Sequence, residues 1–113
     1  MVHMDMSHHL ALCIVERQGP REVIHALGRY EVSESGKSAE LRVWVREDKR
    51  GHGMATTLVK QMVRLARDRD VKRLDARVQA ENGAMLHLLE KLGFTRRKTE
   101  DRQIVVSLEP RKG

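Results

Sequence analysis

Through the N-terminal half of the chain, apolar and polar residues alternate with a period of two. Beyond a pair of glycines the period lengthens to that of a helix. Residues 10–16 form a short apolar run closed by Gln18-Gly19-Pro20. In residues 22–32, Ile24, Ala26 and Gly28 alternate with Val23, His25 and Leu27, so the two runs predict an antiparallel hairpin. Ser33 to Ser38 is a polar turn. After it, Leu41, Val43 and Val45 alternate with Glu40, Arg42 and Trp44 in a third strand that leads straight into Arg50-Gly51-His52-Gly53-Met54-Ala55.

Over residues 54–67 an amphipathic helix is predicted, with Met54, Ala55, Leu58, Val59, Met62, Leu65 and Ala66 on one side and Lys60, Arg64 and Arg67 on the other. Residues 71–80 return to strand alternation, Leu74, Ala76 and Val78 against Asp75, Arg77 and Gln79, so strand, helix and strand make a parallel right-handed βαβ unit. Asn82 is placed to cap a second helix whose stripe of Met85, Leu88, Leu89 and Leu92 ends at Gly93. Residues 94–98 and 103–108 read as two closing strands. The order β-β-β-α-β-α-β-β is a mixed α/β (α+β) sheet with one parallel crossover, and a cleft is expected at the carboxyl edge where a strand leaves its neighbour to enter that crossover. One domain over residues 10–109 is expected, with polar tails at 1–9 and 110–113.

Composition narrows the picture. With 113 residues, 40% hydrophobic and 34% charged, the chain suits one packed core under a charged surface. The only aromatics are Tyr30, Trp44 and Phe94, so aliphatic side chains and six methionines fill most of the interior. The net charge of +6 invites a nucleic-acid reading, but no aromatic platform or recognition module accompanies it, and nucleic acid is not the partner expected. The basic excess gathers instead between Arg42 and Arg73, around the two glycines, where an anionic small molecule accounts for part of it. Cys13 alone allows no internal disulfide and fits a reducing, cytoplasmic setting. The apolar runs are too short to span a bilayer, and His3, His8 and His9 have no regularly spaced further ligand, so neither membrane nor metal is expected.

Glycines at a helix start leave backbone N–H groups open to an anion at the positive end of the helix dipole. Two familiar phosphate loops fail here. Gly36-Lys37-Ser38 has Glu31 where a P-loop needs its first glycine, and Gly51-His52-Gly53 is followed by Thr56 where the dinucleotide pattern needs glycine. The string that remains is R-x-x-G-x-A, spelled by Arg50, Gly53 and Ala55. About thirty residues on stands Asn82-Gly83-Ala84-Met85-Leu86-His87-Leu88-Leu89-Glu90-Lys91-Leu92-Gly93-Phe94.

In order and spacing, the pair resembles the GNAT superfamily of acyl-CoA-dependent N-acetyltransferases. The wording is most similar to the GNAT domain of bacterial protein lysine acetyltransferases. The resemblance implies a GNAT-like sheet lacking the family's usual N-terminal strand and two helices, with acetyl-CoA (coenzyme A) as cosubstrate and an amine, favourably a protein lysine, as acceptor. It implies that the backbone of Trp44, Val45 and Arg46 pairs with the pantetheine amides. Gly51, His52, Gly53, Met54, Ala55 and Thr56 would receive the pyrophosphate, with Arg50 beside it and Asn82 touching the pantetheine arm. It implies Glu40 as the base.

A base is needed because a lysine amine with pKa near ~10.4 is neutral in only about one molecule in 2,500 at pH 7. Two departures from the family stand out. Leu89 occupies the place where many members carry a tyrosine that protonates the leaving thiolate, and only nine residues precede the first strand recognised. The acceptor side is therefore either open or completed by another chain, which admits a homodimer. A non-catalytic acyl-CoA-binding module is the alternative reading.

Overall fold

A computed structural model describes residues 2–6 and 9–110. It contains one seven-stranded sheet in the order β1-β2-β3-β4-β5-β7-β6 and two α-helices. The strands are β1 (Val2–Met6), β2 (His9–Gln18), β3 (Arg21–Val32), β4 (Ser38–Val45), β5 (Arg73–Gln79), β6 (Thr95–Glu100) and β7 (Gln103–Leu108). Helix α1 (Met54–Asp68) joins β4 to β5, and α2 (Gly83–Lys91) follows β5. The pair β4–β5 is the parallel one, and every other neighbouring pair is antiparallel.

The N-terminal residues depart from the expected tail and from the expected lack of a leading strand. Val2–Met6 is a strand paired with β2 from Val2↔Cys13 to Met6↔His9. The physical reason lies in its alternation, Val2, Met4 and Met6 against His3 and Asp5, which suits the free edge of β2. Met1, Ser7, His8 and residues 111–113, parts of the expected tails, lie outside the described residues.

Both helices pack over one face of the sheet, because Leu58, Val59, Met62 and Ala66 of α1 and Leu86 and Leu89 of α2 share one buried cluster with Leu41, Leu74, Ala76, Val78, Ile104 and Val106. Among the described residues no helix covers the opposite face, where the partners of that alternation point: Glu40, Arg42 and Trp44 on β4, Asp75 and Arg77 on β5.

One irregularity breaks the alternation expected in β3. Ile14 pairs with Ala26 but Val15 pairs with Ile24, so His25 is an extra residue, a β-bulge. His25 and Ala26 are consequently both buried, while Ile24 is 47% exposed. The His25 Nε2–H donates to Glu16 at 2.8 Å, and that hydrogen bond holds the Glu16 carboxyl below its ordinary pKa. The His25 carbonyl accepts the Arg46 N–H at 2.8 Å, fixing the end of β4 just where the chain turns toward the glycines.

Candidate functional site

Strands β4 and β5 are paired only from Ser38↔Arg73 to Leu41↔Ala76. Past that last pair both continue, β4 to Val45 and β5 to Gln79, but no longer against each other. Residues 42–45 keep β3 on their other edge, from Arg29↔Arg42 to Ala26↔Val45, so their second edge presents backbone N–H and C=O groups to an open fork. An extended amide-bearing chain can complete that edge as a strand would.

The fork is hollow along its length. Its apex is a cavity of about 200 Å³ bounded by Leu41, Arg42, Ala76, Arg77, Met85 and Leu89. A second cavity of about 460 Å³ shares Val43, Asn82 and Met85 with the first and runs outward to Lys49, Arg50, Gly51, Gly53, Met54, Ala55 and Thr56. The groove thus leads from the last β4–β5 pair to the first turn of α1. A larger, open concavity of about 800 Å³ lies elsewhere, between the β3–β4 turn and the C-terminal end of α1, and holds none of the residues that the GNAT resemblance assigns to catalysis or cofactor binding.

The outer end is shaped by backbone. Gly51 and Gly53 have φ of 83° and 78°, a left-handed conformation that side-chain-bearing residues resist. Gly53 is the residue before α1 and offers no side chain to cap it. The first bond of the helix, Thr57 N–H to the Gly53 carbonyl at 3.0 Å, leaves the amides of Met54, Ala55 and Thr56 ahead of it. The first turn contains no acidic residue, so nothing on the helix itself offsets the positive end of its dipole. Lys49 and Arg50 stand beside these amides, and among the described residues neither has a carboxylate within ion-pair distance.

Of the residues singled out, Trp44, Val45, Arg50, Gly51, Gly53, Met54, Ala55, Thr56 and Asn82 line the groove together. His52 and Arg46 do not. The Arg46 guanidinium turns back to Asp48 at 2.9 Å. The Asn82 side chain accepts from the Met85 N–H at 3.2 Å as the cap of α2, at the wall shared by both cavities. Sequence reasoning passed over Lys49, Met85 and Leu88 as groove residues. In the sequence Met85 and Leu88 read only as core stripe, and the structure shows both half-buried because this stripe also faces the cavity.

Glu40 lies beside the apex, one residue before the last β4–β5 pair, with its side chain on the uncovered face. Its Oε1 accepts from Arg77 Nε at 2.9 Å and its Oε2 from Arg42 at 3.1 Å. A carboxylate has about four lone-pair positions, so two arginine bonds hold it in place and leave room for a further donor. Among the described residues none that lines the apex carries a hydroxyl, phenol or thiol, and Leu89 is buried there at 2% exposure.

A family model of the acetyltransferase (GNAT) domain matches residues 3–95. The chain belongs to this GNAT family. Solved structures agree at the level of the fold. The GNAT domain of PAT from S. lividans is 22% identical, with a TM-score of 0.77 over 95% of this chain and 64% of that one. A ribosomal-protein-alanine N-acetyltransferase from Brucella melitensis is 24% identical, with a TM-score of 0.76 over 89% of this chain and 68% of that one. The acetyltransferase yncA of Salmonella typhimurium, solved with acetyl-CoA, is 17% identical, with a TM-score of 0.70 over 80% and 61%. This GNAT chain therefore spans 64% of the S. lividans domain's length. Among its described residues no helix is long and apolar enough to cross a membrane, and no group of histidine, cysteine and carboxylate side chains is placed to hold a metal.

Proposed function

We propose that this chain transfers an acetyl group from acetyl-CoA to the amine of an acceptor, with protein lysine favoured, by direct attack in the β4–β5 fork. The observation that carries the reading is the end of the ladder at Leu41↔Ala76, which opens an unpaired strand edge leading to bare helix-start amides. Residues 42–45 would pair with the amides of the pantetheine arm. The amides of residues 53–56, with Lys49 and Arg50, would hold the pyrophosphate, and Asn82 and Met85 would wall the arm. When bound, acetyl-CoA supplies a thioester whose C–S bond is exchanged for a C–N bond to the amine, the leaving thiolate taking up, through solvent, the second proton that the nitrogen loses as the amide forms.

Glu40 would accept the ammonium proton, directly or through water. Arg77 and Arg42 would keep its carboxylate facing the acceptor. An alkyl thiolate, whose conjugate acid has a pKa near ~8.5, leaves tolerably without an enzymic acid, which accommodates Leu89. The lone Cys13 favours the cytoplasm as the setting.

Leu89 at an apex whose described lining has no hydroxyl, phenol or thiol is also the one observation that favours a second reading, a module that binds acyl-CoA without turnover.

Calorimetry tests the cofactor assignment. Acetyl-CoA is expected to bind with a sub-millimolar Kd, and Gly53→Ala to weaken it about tenfold, since forcing a side chain into left-handed backbone costs ~1–2 kcal/mol or swings the amides away. Gly36→Ala imposes similar strain (φ 74°) in the remote β3–β4 turn and is expected to leave Kd unchanged. An absence of sub-millimolar binding by the unmodified chain would sink the family-based assignment of the groove.

A further inference from the structure

The strand register sorts the uncovered face into three rows that run across the strands. Glu31 stands opposite Glu40, and Glu40 opposite Asp75, giving a row of carboxylates over β3, β4 and β5. Two residues along each strand, Arg29 stands opposite Arg42, and Arg77 follows Asp75 by the same two residues on β5, just past the last β4–β5 pair, giving a row of guanidinium groups. Two residues further, Leu27 stands opposite Trp44, with Cys13 beyond Leu27 on β2, giving an apolar row in which Trp44 is half exposed.

Like charges directly opposite on neighbouring strands disfavour a sheet, and a face meant only for solvent is better served by alternating signs. Here Glu40 of the acidic row pairs with Arg42 and Arg77 of the basic row, while Asp75 pairs with Arg73 and Arg97 outside it and Arg77 also reaches Glu100. Among the described residues Arg29 and Glu31 take part in no ion pair. The acidic row lies one residue before the fork apex, where Glu40 bonds Arg42 and Arg77 of the apex lining, and Trp44 of the apolar row lines the outer part of the fork.

We infer that the acceptor is an extended lysine peptide bearing an acidic residue two positions from the lysine and an apolar residue four positions away. This rests on the acetyl-transfer reading above. Side chains on one side of an extended peptide recur every ~7 Å, the same spacing that separates the rows along these strands. A lysine placed on the carboxylate row therefore brings its amine to Glu40. The next side chain on that side meets Arg29, Arg42 and Arg77, where a carboxylate is attracted and a cation repelled. The one after meets Trp44 and Leu27. Arg29 is a specificity residue in this arrangement, remote from the reacting atoms.

Trp44 is the only tryptophan, so its fluorescence reports peptide binding whether or not turnover occurs. The probe is a capped nonapeptide with lysine at its centre, glutamate two positions away on each side and leucine at both ends, titrated into the full chain saturated with coenzyme A. Its comparisons carry arginine in place of the glutamates, or the glutamates moved next to the lysine at equal net charge. The first peptide is expected to bind at least tenfold tighter than either comparison and to show the same ordering in KM for acetyl transfer. Arg29→Glu is expected to shrink the preference over the arginine peptide to within about threefold.

Product formed without charge or position preference overturns this inference and leaves acetyl transfer standing. Preferential binding without product supports the surface assignment and contradicts the catalytic one. No response to any peptide, or a Trp44 signal that follows dilution of the chain alone, overturns the inference in favour of an unoccupied or self-associating face.

Discussion

Glu40→Gln is expected to lower kcat for acetyl transfer by ~10²- to 10⁴-fold at neutral pH while leaving the Kd for acetyl-CoA unchanged. The amide keeps the size of the carboxylate but cannot take a proton. The loss should shrink as the pH approaches ~10.4, where the amine is already neutral in solution. Glu40 is suited to the role by position: its strand delivers it to the uncovered face one residue before β4 and β5 part, and Arg42 and Arg77 hold its two oxygens. A rate unaffected by the substitution across the whole pH range would remove Glu40 from the reaction.

Phe94→Ala is expected to destabilise the fold by ~3–5 kcal/mol, lowering Tm by roughly 10–20 °C. The reason is a local motif joined to the core. The last turn of α2 closes with Gly93 N–H on the Glu90 carbonyl and Phe94 N–H on the Leu89 carbonyl, both at 3.0 Å, around Gly93 at φ 105°. This pattern normally sets an apolar contact between the residue after the glycine and the residue five before it. Those residues are Phe94 and Leu89, each 2% exposed. Phe94 thus anchors the end of α2 whose Leu89 closes the apex and whose Met85 walls the groove. Thermal and urea unfolding measure the loss, and a change below ~1 kcal/mol would contradict the anchor role.

Two stretches make much of the candidate groove legible in the sequence. Residues 50–56 and 82–94 are governed by local rules: bare glycine at a helix start, an asparagine cap, a glycine at a helix end. Such rules act within a few residues, so the string itself carries them. The first strand was lost because Val2, Met4 and Met6 are interleaved with polar residues in a short segment, and only the free edge of β2 gives that alternation a partner. The bulge at His25 was invisible for a different reason. An inserted residue leaves the alternation of types along β3 intact, and only the pairing with β2 shows that the faces have exchanged. Register hid the charge rows too, since Glu31 and Glu40, or Arg29 and Arg42, become neighbours only across strands.

The ion pairs at Glu40 could not be read from sequence either. Arg77 is thirty-seven positions away and reaches the carboxylate because β4 and β5 are parallel and paired just up to that level. The sequence placed Glu40 on the right strand face, and tertiary pairing supplies the groups that hold it.

The most direct test is mass spectrometry of a panel of amines and lysine peptides incubated with acetyl-CoA and this chain, with thiol release followed in parallel. One acetyl group added to an acceptor amine, with an equal amount of thiol released and both lost in Glu40→Gln, is the predicted result. Acetyl-CoA that binds in the calorimeter yet gives no acetylated acceptor and no thiol above the uncatalysed background would contradict it.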